Sequence, residues 1–89
     1  MEYQEVVNVS YEIKVNNTWL TIVRYDSSHG FLHRHIRISL ENPNEITGGE
    51  IEHGGHHAWL TIAITELLEN FLTYRREFYE RSDLVDKDA

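Results

Sequence analysis

The sequence predicts an α+β fold in which an antiparallel β-meander of three to four strands packs on one long C-terminal helix. Apolar and polar residues alternate through residues 6–15 and 31–41, which is the period of half-buried strands. From Ala58 to about Arg81, large apolar residues recur instead at spacings of three and four, which is the period of a helix. Short turn sequences separate the strands, so strands that follow one another along the chain are expected to pair antiparallel.

Each predicted strand has its own boundary signals. Residues 16–17 (Asn-Asn) favour a tight turn, because asparagine tolerates a positive φ. Residues 18–26 are apolar on both faces, which suits a central strand. Residues 42–44 (Asn-Pro-Asn) end the third strand, since proline restricts its own φ and the residue before it. Residues 45–53 contain a Gly-Gly pair that weakens a strand, so we expect only a short edge strand there.

The predicted helix has an unusually broad apolar stripe. Its main row is Leu60, Ile64, Leu67, Phe71, Tyr74 and Phe78, and Trp59, Ala63, Leu68 and Leu72 widen it. We expect Trp19 and Trp59 to be anchors of the core. A single helix on a small sheet leaves some of this apolar surface uncovered, so a homodimer through the helix or through the sheet edge is expected.

Composition limits the classes to which the chain can belong. We expect residues 1–89 to form one domain, with residues 83–89 as a disordered acidic tail. Fifteen acidic against eight basic residues give a net charge of −7, which argues against a general polyanion binder. The absence of cysteine excludes a disulfide scaffold or a thiolate metal site. Without an apolar run of spanning length or a signal-peptide layout, we expect a cytoplasmic protein that does not contact the membrane.

The six histidines fall into two groups, and the first lies in the only basic stretch. Residues 16–40 carry a net charge of +2, whereas the rest of the chain is acidic. His33 and His35 are two residues apart on a predicted strand, so they project from one face, and Arg37 continues that row. Arg34 is the exception on the opposite, apolar face. If the second and third strands form a hairpin, Asp26, His29 and His33 converge near its tip.

These residue types suit metal-free phosphoryl transfer with no cofactor. One imidazole can take the proton of a ribose 2′-hydroxyl, a second can protonate the leaving oxygen, and arginine can neutralise the charge of the phosphorane. The candidate catalytic residues are Asp26, His29, His33 and His35, and the candidate substrate-binding residues are Arg24, Arg34 and Arg37. Two readings stay open beside this one, since a His-Arg-His alternation is often only a solvated face, and two imidazoles with a carboxylate can also bind a divalent metal.

The second group is His53, His56 and His57, which lies in a glycine-flanked run directly before the helix. Glycine lets the backbone approach a ligand closely, and unpaired N–H groups at a helix start favour anions. These imidazoles are therefore alternative ligands for an anion or, together with His33 and His35, for a metal. A loop without a ligand accounts for the run equally well.

Part of the chain resembles the toxins of TumE-type toxin–antitoxin pairs. The similarity lies in a Tyr-Asp element, a glycine turn and a His-Arg-His element (residues 25–35), followed by an amphipathic helix that includes residues 67–72. An even closer likeness is to small archaeal proteins with the signature matched here by Arg24, Tyr25, Asp26, His29, Gly30 and His33. Together these cover roughly residues 18–40 and 60–80.

The resemblance implies a toxin-like role with RNA as substrate, and an antitoxin partner that often carries a DNA-binding domain. The chain departs from the toxin pattern in lacking a second glycine before His-Arg-His and in having a longer segment at residues 42–57. Three hypotheses therefore stand: a ribonuclease-like toxin, a non-enzymatic protein-interaction module and a divalent-metal-binding protein.

Overall fold

Four antiparallel strands form one sheet, and a single helix packs on one of its faces. The computed structural model describes residues 6–28, 30–52 and 58–87, and only the backbone of residues 49, 50 and 52. The elements are β1 (Asn8–Val15), β2 (Thr18–Asp26), β3 (Leu32–Arg37), β4 (Glu45–Glu52) and α1 (Trp59–Arg81). The sheet order is β1-β2-β3-β4. This confirms the predicted α+β meander and its C-terminal helix.

The turns between strands have the backbone conformations that their residues favour. Asn16 and Asn17 both have a positive φ, of 50° and 64°, which matches the twist of a tight β-hairpin between β1 and β2. Gly30, in the connection from β2 to β3, has a φ of 90°, a conformation that side-chain-bearing residues rarely adopt. The second hairpin therefore depends on a glycine at this position.

The register of β2 against β3 divides their residues between two faces. Arg24 pairs with His35, Tyr25 with Arg34, and Asp26 with His33. Because paired residues project from the same face and successive residues alternate, Tyr25 and Arg34 point towards α1. The other two pairs lie on the opposite face, which we call the outer face.

A β-bulge explains why β2 looks apolar on both faces. Tyr11 pairs with Val23 and Glu12 with Thr21, so Ile22 is an extra residue in the ladder. Ile22 and Val23 are both buried although they are consecutive. The bulge thus turns two neighbouring side chains into the core, and β2 does lie between two other strands, as predicted.

The core lies between the sheet and one side of α1. Its fully or almost fully buried apolar residues are Val7, Ile13, Val15, Ile22, Val23, Tyr25, Leu32, Trp59, Ala63, Tyr74 and Phe78. The helix packs over β1, β2 and β3. Within the described residues, no helix combines the length and apolar composition needed to cross a bilayer.

The prediction that Trp19 is a core anchor is wrong, and the broad apolar stripe of the helix is buried along only one of its edges. Leu60 and Ile64, which were assigned to the main helical row, are 48% and 42% exposed. The helix instead turns Trp59 and Ala63 towards the sheet, because a stripe this broad does not fix which of its edges is buried. Trp19 is 63% exposed, since its pairing with Lys14 places it on the outer face, with the Lys14 ammonium 5.9 Å from its ring. The prediction that Trp59 is a core anchor is confirmed.

A polar network joins the inner face of the hairpin to the helix. The Tyr25 hydroxyl donates to Glu66, and Arg34 Nη1 lies 2.6 Å from Glu66 Oε1 and 2.7 Å from the Tyr74 hydroxyl. The Tyr74 hydroxyl also donates to Glu66 at 2.8 Å. Burial is the main cause that raises the pKa of Tyr25, and the hydrogen bond to Glu66 raises it further. Gly48 leaves room for Arg34, because a Cβ there would lie 3.3 Å from the Arg34 carbonyl oxygen. The network therefore fixes how α1 sits on β2 and β3.

The helix ends in a Schellman motif. Asp83 has a φ of 55°, its N–H donates to Glu80 O, and the N–H of Leu84 donates to Tyr79 O. Beyond this turn, Asp86 accepts two hydrogen bonds from Arg75, at 2.6 and 2.9 Å. The structure describes the predicted acidic tail (residues 83–89) as far as residue 87, and residues of this tail make the contacts named above.

Replacing Glu66 should weaken the attachment of the helix. We expect Glu66→Ala to lower the free energy of unfolding by about 2–3 kcal/mol, because it leaves a partly buried guanidinium and two buried hydroxyls without their carboxylate. Glu69→Ala, on the exposed side of the same helix, should change it by less than about 0.5 kcal/mol. Urea unfolding followed by circular dichroism measures both, and equal effects would contradict the role of the network.

Candidate functional site

The outer face brings together two acids, two histidines and an arginine. Arg24 and Asp26 come from β2, and His33 and His35 from β3, where the register sets them side by side. From β4, Thr47 pairs with His35, and Glu45 lies next to Arg24. These side chains stand on the face of the sheet opposite the helix.

Asp26 is held by hydrogen bonds to both of its carboxylate oxygens. Oδ1 accepts the backbone N–H of Ser28 at 2.8 Å, and Oδ2 lies 3.3 Å from Arg24 Nη1. Burial alone would raise the pKa of this carboxyl, but the hydrogen bonds from Ser28 and the nearby His33 and Arg24 outweigh it and lower the pKa. Asp26 is therefore an oriented carboxylate at neutral pH.

His33 is only 3% exposed although it lies on the outer face. The rings of Phe31 and His35 pack beside it, with centroids 5.2 and 4.6 Å away. Its Nδ1 lies 3.1 Å from the Phe31 carbonyl oxygen. A carbonyl only accepts, so this contact assigns the proton to Nδ1 and, in the neutral imidazole, the lone pair to Nε2.

His35 is more exposed and is oriented from β4. Its Nδ1 lies 3.1 Å from Thr47 Oγ1. Burial, together with the positive charges of Arg24 and His33, lowers the pKa of His35 below its ordinary value. The imidazole is therefore neutral at pH 7, and its ring stands nearly perpendicular to that of His33.

The three arginines of the basic stretch are already engaged. Arg24 donates to both carboxylate oxygens of Glu45, at 3.0 and 2.9 Å. Arg37 donates to the carbonyl oxygens of Ser39 and Leu40. Arg34 lies on the inner face with Glu66. Although the stretch is basic in sequence, tertiary contacts with acids and carbonyls offset its charge.

Three potential metal ligands converge in this cluster. Asp26, His33 and His35 each offer one oxygen or nitrogen atom, and these atoms all lie within 4.8 Å of one another. Atoms bound to one Zn²⁺ at about 2.0–2.2 Å lie roughly 3–3.5 Å apart, so shifts of about 1 Å would bring the three into ligand positions. The same three groups could also serve as an acid–base set.

Comparison with known proteins identifies the family. A family model described as a domain of unknown function, DUF7718, matches residues 3–84. The chain belongs to the DUF7718 family. Neither the curated proteins nor the solved structures yield a match. The resemblance of this DUF7718 chain to TumE-type toxins stays a prediction.

The DUF7718 fold brings some of the predicted site residues together and separates others. Asp26, His33, His35 and Arg24 form one cluster, whereas the side chain of Arg34 lies on the other face of the sheet and that of Arg37 turns towards residues 39–40. Four predicted residues lie outside the described part of the chain: His29, His53, His56 and His57.

Sequence reasoning missed the residues that orient the cluster. Glu45 and Thr47 stand two apart on β4, so alternation indicated that they share a face. Their partners on β3 were not predictable, because the β3–β4 ladder contains two register shifts. The other two orienting groups are the backbone N–H of Ser28 and the backbone carbonyl of Phe31. Almost any residue at these positions supplies the same groups, so the sequence does not mark them.

The lowered pKa of His35 can be measured directly. In chelator-treated DUF7718 protein, NMR titration should give His35 a pKa below about 6.5, the usual value. Arg24→Gln should raise it, because a nearby positive charge is removed and Glu45 is left unpaired. Arg37→Gln serves as the matched control and should leave the pKa of His35 unchanged. A pKa at or above the usual value, or no response to Arg24→Gln, would contradict this electrostatic picture.

Proposed function

We propose that this DUF7718 protein binds a divalent transition-metal ion through Asp26, His33 and His35, and that the site hydrolyses phosphodiester bonds in RNA. The observation that carries the proposal is the convergence of three ligand atoms within 4.8 Å on one face of the sheet. Two imidazoles and one carboxylate suit Zn²⁺ or Fe²⁺, and each appears in catalytic sites with three protein ligands.

The surroundings of each ligand support this function. Metal-binding histidines commonly donate their second ring N–H to an oxygen, which fixes the ring and its tautomer. His33 has such a contact with the Phe31 carbonyl, and His35 contacts Thr47 Oγ1. The hydrogen bonds that the Asp26 carboxylate accepts from Ser28 and Arg24 orient it in the same way.

The protonation states are also those that a metal requires. Metal competes with protons for its ligands, so carboxylate and neutral imidazole bind it. The lowered pKa values of Asp26 and His35 keep both groups in these forms at neutral pH.

A metal with three protein ligands keeps coordination positions for water and substrate. A divalent ion held by Asp26, His33 and His35 would supply Lewis-acid chemistry, since it would lower the pKa of a bound water and polarise a phosphoryl oxygen. The arginines of the basic stretch are engaged with Glu45, Glu66 and backbone carbonyls, so they are poorly available to neutralise a phosphorane. A bound cation would supply that charge instead.

RNA as the substrate, and a role as a cytoplasmic toxin with an antitoxin partner, rest on the resemblance to TumE-type toxins. The second candidate function is the metal-independent ribonuclease, which the side-by-side imidazoles of His33 and His35 favour. In that case Asp26 raises the basicity of an imidazole, and the two rings act as base and acid.

Calorimetric titration of untagged protein tests the metal site. We expect one Zn²⁺ per chain at pH 7.5, an affinity at least about 100-fold lower in Asp26→Asn and in His35→Ala, and weaker binding as the pH falls through the pKa of His35. Mn²⁺ and Fe²⁺ should be compared under anaerobic conditions. His33→Ala should also lose binding, but its burial makes it the variant most prone to misfold, so circular dichroism must accompany it.

Two controls separate this site from the other histidines. A variant with glutamine at positions 29, 53, 56 and 57 should keep Zn²⁺ binding, and Arg37→Gln should bind like the original chain. If the glutamine variant lost Zn²⁺ binding while Asp26→Asn bound fully, the metal site would lie away from the outer face, and the proposal would be overturned.

A cleavage assay separates the two catalytic candidates. A mixed-sequence single-stranded RNA should be cut by protein loaded with metal, and cleavage should stop with EDTA and return when the metal is restored. Cleavage that persists in EDTA but is lost in His35→Ala would establish the metal-independent ribonuclease. Metal binding without cleavage would support the metal site and exclude RNA as its substrate. If the protein neither binds metal nor cleaves RNA, the result would favour the non-enzymatic interaction module.

A further inference from the structure

Two exposed aromatic side chains stand on the outer face, and the Asp26–His33–His35 cluster lies between them. Trp19 is 63% exposed near the start of β2, and Phe31 is 38% exposed directly before β3. The Phe31 ring packs beside His33, with the ring centroids 5.2 Å apart. Neither ring belongs to the apolar core, so the packing of the domain does not account for large aromatic residues at these positions.

The strand β2 sets the distance between Trp19 and the cluster. Thr21, Arg24 and Asp26 follow Trp19 on the same face, because the bulge at Ile22 restores the alternation. Without the extra residue of the bulge, Trp19 and Asp26 lie about 20 Å apart along β2, at about 3.3 Å per residue. This length is comparable with the smallest single-strand binding sites, which cover about four nucleotides.

The surroundings of Trp19 suit a nucleotide. An exposed indole offers a flat π-surface on which a base of any type can stack. The Lys14 ammonium lies 5.9 Å from the centre of the ring, where it can meet a neighbouring phosphate. Between Trp19 and Arg24 stands only the short side chain of Thr21, which donates to Glu12 at 3.4 Å. A strand that runs from Trp19 to the cluster therefore meets no bulky side chain along β2.

The charge of the outer face links RNA binding to the metal. The charged side chains that the structure describes on and beside this face balance one another: Lys14, Arg24 and Arg37 against Glu12, Asp26 and Glu45. In a chain of net charge −7, a neutral face does not attract a polyanion. A divalent ion on the cluster makes the face positive at the point between the two rings.

An aromatic platform selects the single-stranded form of RNA. In a duplex each base is covered by its neighbours in the stack, so its faces are not available to a protein ring. An unpaired strand can turn its bases towards Trp19 and Phe31 while its phosphates stay near the metal. Stacking of this kind tolerates any sequence, because every base has a π-face.

We propose that Trp19 and Phe31 are base-stacking subsites for single-stranded RNA, one on either side of the Asp26–His33–His35 cluster. This inference rests on the proposed function, because it names the form of RNA that the metal site takes. The phosphodiester that joins the segment on Phe31 to the segment on Trp19 then lies over the cluster.

Trp19 itself reports the contact. The chain contains two tryptophans, of which Trp59 is buried, so Trp59→Phe leaves Trp19 as the only fluorescent indole. The probe is a mixed-sequence 2′-O-methyl octanucleotide with phosphorothioate linkages, which resists cleavage. In the presence of Zn²⁺ we expect it to quench Trp19, whereas an abasic strand of the same length should not. Circular dichroism checks that Trp59→Phe keeps the fold.

Binding of the same probe, labelled with fluorescein and followed by anisotropy, tests each subsite in the otherwise unchanged chain. We expect Trp19→Ala and Phe31→Ala each to weaken binding about 5- to 100-fold, which is the usual effect of removing a stacking ring. Leu68→Ala is the matched control, since Leu68 is 66% exposed but lies on the helix, and it should bind like the original chain. A hairpin duplex should bind at least about 10-fold more weakly, and EDTA should weaken binding of the single strand.

The results separate this inference from the proposed function. Metal-dependent binding that neither quenches Trp19 nor changes in Trp19→Ala and Phe31→Ala would overturn the stacking subsites and leave the metal-bound RNA site in place. Equal binding of duplex and single strand would also overturn the inference. Zn²⁺ binding in calorimetry without binding of any RNA would overturn both the subsites and RNA as the substrate. Unchanged binding in EDTA would contradict the link between the metal and the charge of the face.

Discussion

The pairing register between β2 and β3 is the constraint on which both faces of this sheet depend. Because side chains alternate along a strand, the register that sets Tyr25 against Arg34 also sets Asp26 against His33 and Arg24 against His35. A slip of one residue would exchange the two sets. The hairpin that contains Gly30 and the attachment of its inner pair to the helix both hold that register in place.

The inner pair also explains an arginine on a face that is otherwise apolar. Arg34 and Tyr25 meet Glu66 and Tyr74 of the helix, so the polar groups that the sheet turns inward find partners there. A buried ion pair adds little stability over well-packed apolar groups, but it is costly to break. Its effect here is to specify one position of α1 on the sheet, so that the helix covers the inner face and not the outer one.

The two surfaces left open by this packing differ in chemistry. The outer face carries an oriented carboxylate and two imidazoles, which suit a small cation and the chemistry that it supports. The exposed side of α1 carries an uncharged row of large apolar side chains: Leu60, Ile64, Leu68 and Leu72. The two surfaces lie on opposite sides of the domain, with the sheet and the helix between them.

Local periodicity and turn residues are enough to predict the element order, the single helix and the shared face of His33 and His35 from the sequence. It also indicated Arg34 as the odd residue on the apolar face. The packing of the helix on the sheet is needed to show which edge of the broad helical stripe is buried, and the strand pairing is needed to show that Trp19 is exposed. Contacts between distant residues also show that the arginines of the basic stretch are paired with acids or carbonyls. These outcomes depend on a bulge, on register and on side chains distant in the chain, and periodicity carries no information about any of them.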